Sequence, residues 1–182
     1  HLVYSGRGEQ MMDQDVTPEE SRRAMDTIIR RTKDFEERGL KKEILTVDNH
    51  CDGVYMYLKA LADGETETAA QIKKYLAMNG GNRSGIAFGE VDPQGYVHPD
   101  QFTQHHTFGN VRERAFGDIW QDMTNPIMAG LKDRKPLLTG RCAKCKWLSA
   151  CNGNFRTRAE AVTGDFWASD PACYLTDEEI GL

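Results

Sequence analysis

GRCAKCKWLSACNGNFRTRAEAVTGDFWASDPAC, residues 140–173, is the stretch that decides the fold of the second half of this chain. It contains Cys142-x2-Cys145-x5-Cys151 and, after a long gap, Cys173. Four thiolates are the ligand set of a tetrahedral zinc ion or of one iron–sulfur cluster. A zinc ribbon pairs two close Cys-x2-Cys knuckles, and this stretch has only one. The spacing therefore favours a [4Fe–4S] cluster, with structural zinc, disulfides and free thiols as alternatives.

The composition is that of a globular protein. The chain has 182 residues, of which 39% are hydrophobic and 28% charged, so it can bury a core. Its net charge of −5 argues against non-specific nucleic-acid binding, which needs a basic surface. No run approaches the ~18 apolar residues of a membrane span, and HLVYSGRGEQ at the N-terminus is no signal peptide. We expect a cytoplasmic protein, in which five cysteines favour metal or redox chemistry over disulfides.

The first half alternates between strand and helix signals. Thr17, followed by Pro18 and Glu20, predicts a helix start with a capping box. Apolar residues at helical spacing then continue to a stop at Gly39. An alternation of this kind predicts parallel strands joined by right-handed crossovers. The predicted elements are a strand at 2–4, a helix at 17–39, a strand at 42–47, and helices at 54–62 and 66–78.

The second half begins after Gly80-Gly81-Asn82 and starts with a hairpin. Asp92-Pro93-Gln94-Gly95 is a turn sequence between two predicted strands, 86–91 and 95–98. A helix is predicted at 116–123, and a helix or turn at 126–132. A further helix is predicted from about Cys151 to Val162, where Thr163-Gly164 ends it.

Several of these segments together resemble a known family. The hairpin GEVDPQGYVHPD, the helix AFGDIWQD and the Cys-x2-Cys-x5-Cys run resemble the twitch/SPASM-type C-terminal extension of radical SAM enzymes. Within that family the chain is most similar to the NirJ-like enzymes of heme d1 biosynthesis. The phrases that carry this closer resemblance are HLVYSGRG, LTVDNH, GNFRTRAEAVTGD and DPACYLTDEEIGL.

The resemblance implies a fold, a reaction and partners. The fold would be α/β: residues 1–82 as the C-terminal part of a partial (β/α) barrel of the radical SAM type, and residues 83–182 as a small α+β twitch/SPASM-like domain. That second domain would hold an auxiliary [4Fe–4S] cluster. The whole enzyme would also bind S-adenosylmethionine and a second [4Fe–4S] cluster, and would remove propionate side chains from 12,18-didecarboxysiroheme, a tetrapyrrole. An electron donor protein (flavodoxin or ferredoxin) is implied, and no nucleic-acid or membrane partner.

Two departures from the family pattern qualify these implications. Val97-His98-Pro99-Asp100 stands where a full SPASM domain often has a cysteine, which fits one auxiliary cluster rather than two. The Cys-x3-Cys-x2-Cys motif that holds the SAM-cleaving cluster is absent from these 182 residues. We therefore expect the chain to be the C-terminal part of such an enzyme and to be inactive alone.

The site residues follow from the motifs and from the resemblance. Tyr4, Ser5 and Arg7 end the first predicted strand, and Asp48-Asn49-His50 end the second, at the barrel mouth where such enzymes place their cofactor and substrate. Polar strand ends and a solvated arginine are the alternatives for these residues. No residue is assigned a catalytic role. The predicted metal ligands are Cys142, Cys145, Cys151 and Cys173.

The remaining polar and thiol side chains have simpler interpretations. Cys51 is expected to be a small core residue rather than a ligand. Arg156 and Arg158 are expected to form surface ion pairs, with tetrapyrrole carboxylates and cluster sulfides as alternative partners. His98, His105 and His106 are expected to be hydrogen-bonded, with iron ligation or protonation of a substrate as alternatives.

Two other functions stay open from the sequence. One is a related SPASM enzyme, either a didecarboxysiroheme deacetylase or a maturase that modifies a peptide. The other belongs to a different class: a zinc-stabilised interaction module without catalytic activity.

Overall fold

The computed structural model of the protein describes residues 1–182, which form a mainly helical fold with one two-stranded sheet. None of its helices has the length and apolar character needed to cross a membrane. The helices are α1 (Pro18–Glu37), α2 (Cys51–Ala62), α3 (Thr66–Asn79), α4 (Phe116–Trp120), α5 (Pro126–Lys132), α6 (Gly140–Lys144), α7 (Leu148–Cys151), α8 (Arg156–Thr163) and α9 (Asp177–Ile180). The strands are β1 (Glu90–Val91) and β2 (Val97–His98), and 3₁₀ helices lie at Gly6–Gln14 and Lys135–Leu137.

Helix α1 begins and ends at the residues that the sequence predicts. The hydroxyl of Thr17 accepts a hydrogen bond from the backbone N–H of Glu20 at 3.2 Å. The Glu20 carboxylate accepts one from the backbone N–H of Thr17 at 2.9 Å, which completes a capping box with Pro18 in the first turn. Beyond the last helical residue, Gly39 adopts a left-handed φ of +67°, which stops the helix.

The first hydrophobic core joins the N-terminal helices to the C-terminal segment. Helix α1 contributes Met25, α2 contributes Val54 and Tyr55, and the C-terminal segment contributes Tyr174 and Leu175. This core therefore contains residues from both sides of the predicted boundary at position 82. The division into 1–82 and 83–182 stays a prediction. The buried members are Met25, Cys51, Val54, Tyr55, Tyr174, Leu175 and Ile180.

The second core lies under the hairpin. Strands β1 and β2 pair antiparallel with Glu90 opposite His98 and Val91 opposite Val97, so the predicted hairpin is confirmed with shorter strands. In its turn, the Asp92 carboxylate accepts the backbone N–H of Tyr96 at 2.8 Å. The buried members of this core are Val97, Phe108, Ile119, Met128, Leu131 and Phe166.

The two strands predicted in the first half are not observed. Residues 2–4 and 42–47 belong to no strand, and β1 with β2 forms the sheet of the molecule. A strand needs a neighbour to satisfy its backbone N–H and C=O groups, and neither segment has one. The apolar side chains of Leu45 and Val47 are accordingly 75% and 64% exposed. The structure shows a mixed helical fold with a small sheet, and not the barrel part of the expected α/β class.

The helix predicted from Cys151 to Val162 is interrupted near its start. Helix α7 ends at Cys151 and α8 begins at Arg156. Between them Asn152, Gly153 and Asn154 all have positive φ, at 53°, 75° and 58°. Left-handed residues cannot continue a right-handed helix, and glycine and asparagine tolerate this region best. The break turns the chain sharply just after the third cysteine of the motif.

Candidate iron–sulfur site

The four predicted ligands line a single cavity. Cys142 lies in α6, Cys145 follows that helix directly, Cys151 ends α7, and Cys173 lies in the turn before the C-terminal core segment. The cavity has a volume of about 30 Å³, and its other walls are mainly apolar side chains. Two short helices and one turn therefore bring all four thiols to one place. The apolar lining residues include Val54, Trp147, Leu148, Leu175 and Ile180.

Backbone amides surround the sulfur atoms. The N–H of Trp147 donates to the sulfur of Cys145 at 3.3 Å. The sulfur of Cys151 accepts from the N–H of Gly153, and that of Cys173 from the N–H of Leu175. N–H donors aimed at sulfur stabilise thiolates rather than thiols, as metal ligation requires. The glycine in the break after α7 thus serves the site as well as the fold.

Burial makes deprotonation of two of these thiols unfavourable without a bound cation. It raises the pKa of Cys151 to about 12 and is also the main reason why the pKa of Cys145 is raised. A metal ion replaces the thiol protons and offsets the burial of the thiolates. Burial thus keeps the thiols of Cys145 and Cys151 protonated near neutral pH unless a cation binds to them.

Cys51 lies at the same cavity, beside Cys173. It is buried in the first core and lines the cavity wall. Its thiol donates a hydrogen bond to the sulfur of Cys173, and this bond lowers the pKa of Cys173 to about 7. The expectation of a small core residue is correct as far as burial goes. The structure adds a direct contact with a predicted ligand.

The cysteine sulfurs do not have the close spacing of a zinc–thiolate tetrahedron. In a zinc–thiolate tetrahedron with bonds of about 2.3 Å, neighbouring sulfurs are about 3.8 Å apart. The cysteine sulfurs do not form a group of three within 4.8 Å of one another. In a cubane each cysteine binds a different iron, so the four sulfurs are held farther apart.

Two buried arginines supply positive charge next to the cavity. Arg134 and Arg156 are 1% and 3% exposed, and neither has a carboxylate partner. Burial lowers the pKa of both, to about 10 for Arg134, while the thiolate of Cys151 acts in the opposite direction on each. In both guanidinium groups Nε has no hydrogen-bond partner. Buried cations of this kind call for a nearby anion, and a [4Fe–4S] cluster with four thiolates is one.

Arg158 is also buried, and its contacts join three parts of the chain. It forms an ion pair with Asp170, and it donates hydrogen bonds to the backbone carbonyls of Leu2 at 3.0 Å and Asp48 at 2.7 Å. The expectation that Arg156 and Arg158 lie at the surface is therefore wrong. Helix α8 turns both side chains inward, where backbone carbonyls and one carboxylate accept their hydrogen bonds.

The N-terminal site residues are divided between a cleft and the surface. Tyr4 and Ser5 line an open cleft of about 540 Å³, which His105, Thr157 and Glu160 line as well. The Tyr4 hydroxyl donates to Asp15 at 2.8 Å; burial, helped by this bond, raises its pKa to about 12. Arg7 lies on the exposed 3₁₀ helix that follows and lines none of the larger cavities.

The second predicted triplet is built into the interior. Asn49 is buried and uses its amide fully: the oxygen accepts from Asn154 at 2.7 Å and the nitrogen donates to the carbonyl of Ala172 at 2.9 Å. His50 stacks on Phe155 at a ring distance of 6.0 Å, and burial, followed by the charge of Arg158, lowers its pKa. Any contribution of these residues to cofactor binding stays a prediction.

Four residues of the site region were not found from the sequence. Cys51 and Arg134 are distant from the motif, and no local pattern indicates that Cys51 lines the cysteine cavity or that Arg134 lies near Cys151. Asp170 lies in the motif stretch, but its pairing with Arg158 depends on the turn before Cys173. Glu160 meets His105 and His106 only through the tertiary fold.

Comparison with known proteins agrees with this geometry. Residues 88–146 match the SPASM family, described as an iron–sulfur cluster-binding domain. This part of the chain is therefore similar to a SPASM domain. That match includes Cys142 and Cys145, and Cys151 and Cys173 line the same cavity beyond it. No solved structure matches the chain.

Two tetrapyrrole synthases are similar to this chain over its whole length. Fe-coproporphyrin III synthase of Methanosarcina barkeri is 58% identical over 184 residues, which are 100% of this chain and 46% of that protein. Pre-heme d1 synthase of Dinoroseobacter shibae is 42% identical over 182 residues, or 100% of this chain and 45% of that protein. The AdoMet-dependent heme synthase of Methanosarcina barkeri is 33% identical over 59% of this chain and 29% of its own length. The chain thus spans about half the length of the curated relatives that match all of it.

Proposed function

We propose that this chain is the cluster-binding part of a radical SAM enzyme that acts on an iron tetrapyrrole. The observation that carries the proposal is the convergence of Cys142, Cys145, Cys151 and Cys173 on one buried cavity. The SPASM match and the tetrapyrrole synthases that are similar over the whole chain support it. In the proposed whole enzyme, S-adenosylmethionine and the cluster that cleaves it supply the radical chemistry.

The residues of this chain would hold an auxiliary [4Fe–4S] cluster and keep water away from it. The four cysteines are its proposed ligands. Trp147 and Leu148 form part of an apolar wall that limits access of water, which influences the reduction potential of a cluster. Arg134 and Arg156 compensate the negative charge of the loaded site from inside the protein. An external donor, flavodoxin or ferredoxin, is the proposed source of electrons.

The proposed substrate class is a tetrapyrrole with carboxylate side chains. The finer proposal is that the whole enzyme removes propionate groups from 12,18-didecarboxysiroheme, in agreement with the similarity to pre-heme d1 synthase. The higher identity to Fe-coproporphyrin III synthase favours, as a second candidate, an enzyme with the product named there. Tyr4, Ser5, Arg7 and the segment Asp48-Asn49-His50 are the proposed contributors to the S-adenosylmethionine and substrate cavity.

The cluster proposal is tested on the chain as it is. Anaerobic reconstitution with iron and sulfide should give a brown protein with about four irons and four sulfides per chain. Metal analysis that finds one zinc ion and no iron after reconstitution would contradict it, and would favour a zinc-stabilised interaction module.

The enzymatic proposal needs the full-length protein. With dithionite it should form 5′-deoxyadenosine, and the mass of the tetrapyrrole product separates loss of propionate groups from the second candidate. The 182-residue chain alone should form none, because it lacks the Cys-x3-Cys-x2-Cys motif. In the full-length enzyme, His50→Ala or Arg7→Ala should impair turnover or S-adenosylmethionine binding with both clusters intact. Normal turnover in both variants would contradict their assignment to the cavity.

A further inference from the structure

A second group of metal-binding side chains lies away from the cysteine cavity. His105 and His106 lie in a turn after the hairpin, and Glu160 lies on helix α8. The ligand atoms of these three residues all lie within 4.8 Å of one another. They form a compact group of two imidazoles and one carboxylate, brought together by folding.

Both imidazoles point at the same carboxylate. Nε2 of His105 lies 2.7 Å from Oε2 of Glu160, and Nε2 of His106 lies 3.0 Å from Oε1 and 3.1 Å from Oε2. Ligands at about 2.1 Å from a metal ion and at right angles to each other are about 3.0 Å apart. The two histidine–glutamate separations are therefore close to those of adjacent ligands around one ion, and the two imidazole nitrogens lie within 4.8 Å of each other.

The surroundings hold two of the three side chains in place. Glu160 follows four consecutive buried residues of α8, 156–159, so its position on the helix is fixed by packing. The ring of His106 packs edge-on against Phe166 at 5.0 Å, and its backbone carbonyl accepts a hydrogen bond from Nδ1 of His98 at 3.0 Å. Support of this kind orients imidazole ligands before the metal arrives.

An unpaired hydroxyl lies on the same wall. Thr157 is one turn before Glu160 on α8, is 3% exposed and lines the cleft together with His105 and Glu160. Its Oγ1 has no hydrogen-bond partner in the protein. A buried hydroxyl without a partner points to a missing group, such as a water molecule or an oxygen ligand held in the cleft.

We propose that His105, His106 and Glu160 bind one divalent transition-metal ion at the edge of the cleft lined by Tyr4 and Ser5. Imidazole and carboxylate ligands suit Zn²⁺, Fe²⁺ and Co²⁺, and two histidines with one carboxylate leave coordination positions open. His105 and Glu160 line the cleft, so an ion bound to them would be accessible to an oxygen ligand such as water or the carboxylate of a small molecule. This site uses none of the cysteines and does not depend on the proposed function.

Cobalt(II) distinguishes this site from the cysteine cavity, because its absorption spectrum depends on whether thiolates bind it. Added to the anaerobic, cluster-reconstituted chain, it should bind in one equivalent, with weak visible bands and none of the intense near-ultraviolet absorption of cobalt–thiolate bonds. His105→Ala and Glu160→Gln should each weaken this binding by about tenfold or more. Glu67→Gln, on an exposed position of α3, is the matched control and should bind as the wild type does.

The results that would support the metal site differ clearly from those that would overturn it. His105 is exposed and Glu160 is partly exposed, so the variants should keep the wild-type melting temperature in the absence of cobalt. Cobalt binding that is equal in wild type, His105→Ala and Glu160→Gln would overturn the proposal. Cobalt spectra with thiolate bands alone would overturn it too, because the ion would then sit at the cysteines.

Discussion

Arg158 and Asp170 form a fully buried ion pair, with Nη2 and Oδ2 2.8 Å apart and both side chains 0% exposed. The pair connects helix α8 to the turn that carries Cys173, since the Cys173 N–H donates to the backbone carbonyl of Asp170. Through its second branch, Arg158 also binds the carbonyls of Leu2 and Asp48. One side chain thus fixes the N-terminal segments relative to the last cysteine of the site.

Removal of this arginine should strongly destabilise the protein. In Arg158→Ala the carboxylate of Asp170 stays buried without its cation, and such a loss typically costs about 3–5 kcal/mol of unfolding free energy. Chemical denaturation of the chain measures it. Arg38→Ala, which breaks an exposed pair with Asp34 on α1, should change stability very little. Equal effects of the two substitutions would show that the buried pair does not support the fold.

Each of the four predicted ligands should be required for the cluster. Alanine at Cys142, Cys145, Cys151 or Cys173 removes one thiolate from the cavity, and site formation and folding are coupled. Iron and sulfide content after reconstitution should fall well below half of the wild-type value in each variant. Cys51→Ala should keep its full iron content. If Cys51→Ala lost the cluster while Cys173→Ala kept it, the ligand assignment would be wrong.

Cys51 should influence the reduction potential of the cluster. Its thiol donates a hydrogen bond to the sulfur of Cys173, and such bonds favour the reduced, more negative state of a cluster. Cys51→Ala should therefore lower the midpoint potential in a redox titration followed by electron paramagnetic resonance. Cys51→Ser retains a donor and should stay closer to the wild-type potential. An unchanged potential in the alanine variant would show that the bond has no electronic effect.

Substitution of Gly81 should destabilise the protein, because the backbone of Cys151 lies directly beside this residue. It has a φ of +75°, and a Cβ atom at this position would overlap the carbonyl group of Cys151. Next to it, the N–H of Asn82 donates to the carbonyl of Cys151 at 3.1 Å. Gly81→Ala should lower both the melting temperature and the iron content of the reconstituted protein.

The matched control for this substitution is Gly64→Ala. Gly64 has a similar φ of +77° but open space around its Cβ position. Gly64→Ala should lower the unfolding free energy only by the roughly 1–2 kcal/mol of left-handed backbone strain, and the variant should keep its iron. Equal iron loss in the two variants would contradict a role for the contact with Cys151.

His50 should make stability depend on pH. Burial lowers its pKa in the folded state, so the unfolded chain, with a histidine pKa of about 6.5, takes up the proton more readily. The resulting stability is present above pH 6.5 and is lost as pH falls toward the folded-state pKa. Between pH 7.5 and 5.5 the wild type should thus lose more unfolding free energy than His50→Gln. The measurement is denaturation at several pH values. Equal losses of unfolding free energy in the wild type and His50→Gln would contradict this role of His50.

The sequence predicted the local features of the fold well. The capping box of Thr17 and Glu20, the helix stop at Gly39 and the turn from Asp92 to Gly95 all depend on neighbouring residues, and the structure contains each of them. The cysteine spacing also indicated one common cavity. Such local features can be predicted from the sequence because the residues that stabilise them lie within a few positions of one another.

Contacts between distant residues were not predictable in the same way. The segments at 2–4 and 42–47 have strand-like composition, but a strand also needs a partner, which composition does not reveal. Arg158 looks like a surface residue of a helix until Asp170 is known to lie opposite it. The break after α7 depends on three left-handed residues in a row, and Asn-Gly-Asn permits this conformation without requiring it.

The buried guanidinium groups of Arg134 and Arg156 have a consequence for how the protein matures. The charges closest to them are the buried carboxylates of Asp100 and Asp170 and the cysteines of the cavity. A bound anionic cluster would complete the compensation of these two enclosed cations. Delivery of the cluster would then be a late folding step that closes the interior. A cell that runs short of iron or sulfide would accumulate chains with a loosened C-terminal half, open to proteases, so the supply of clusters would set how much of this protein persists.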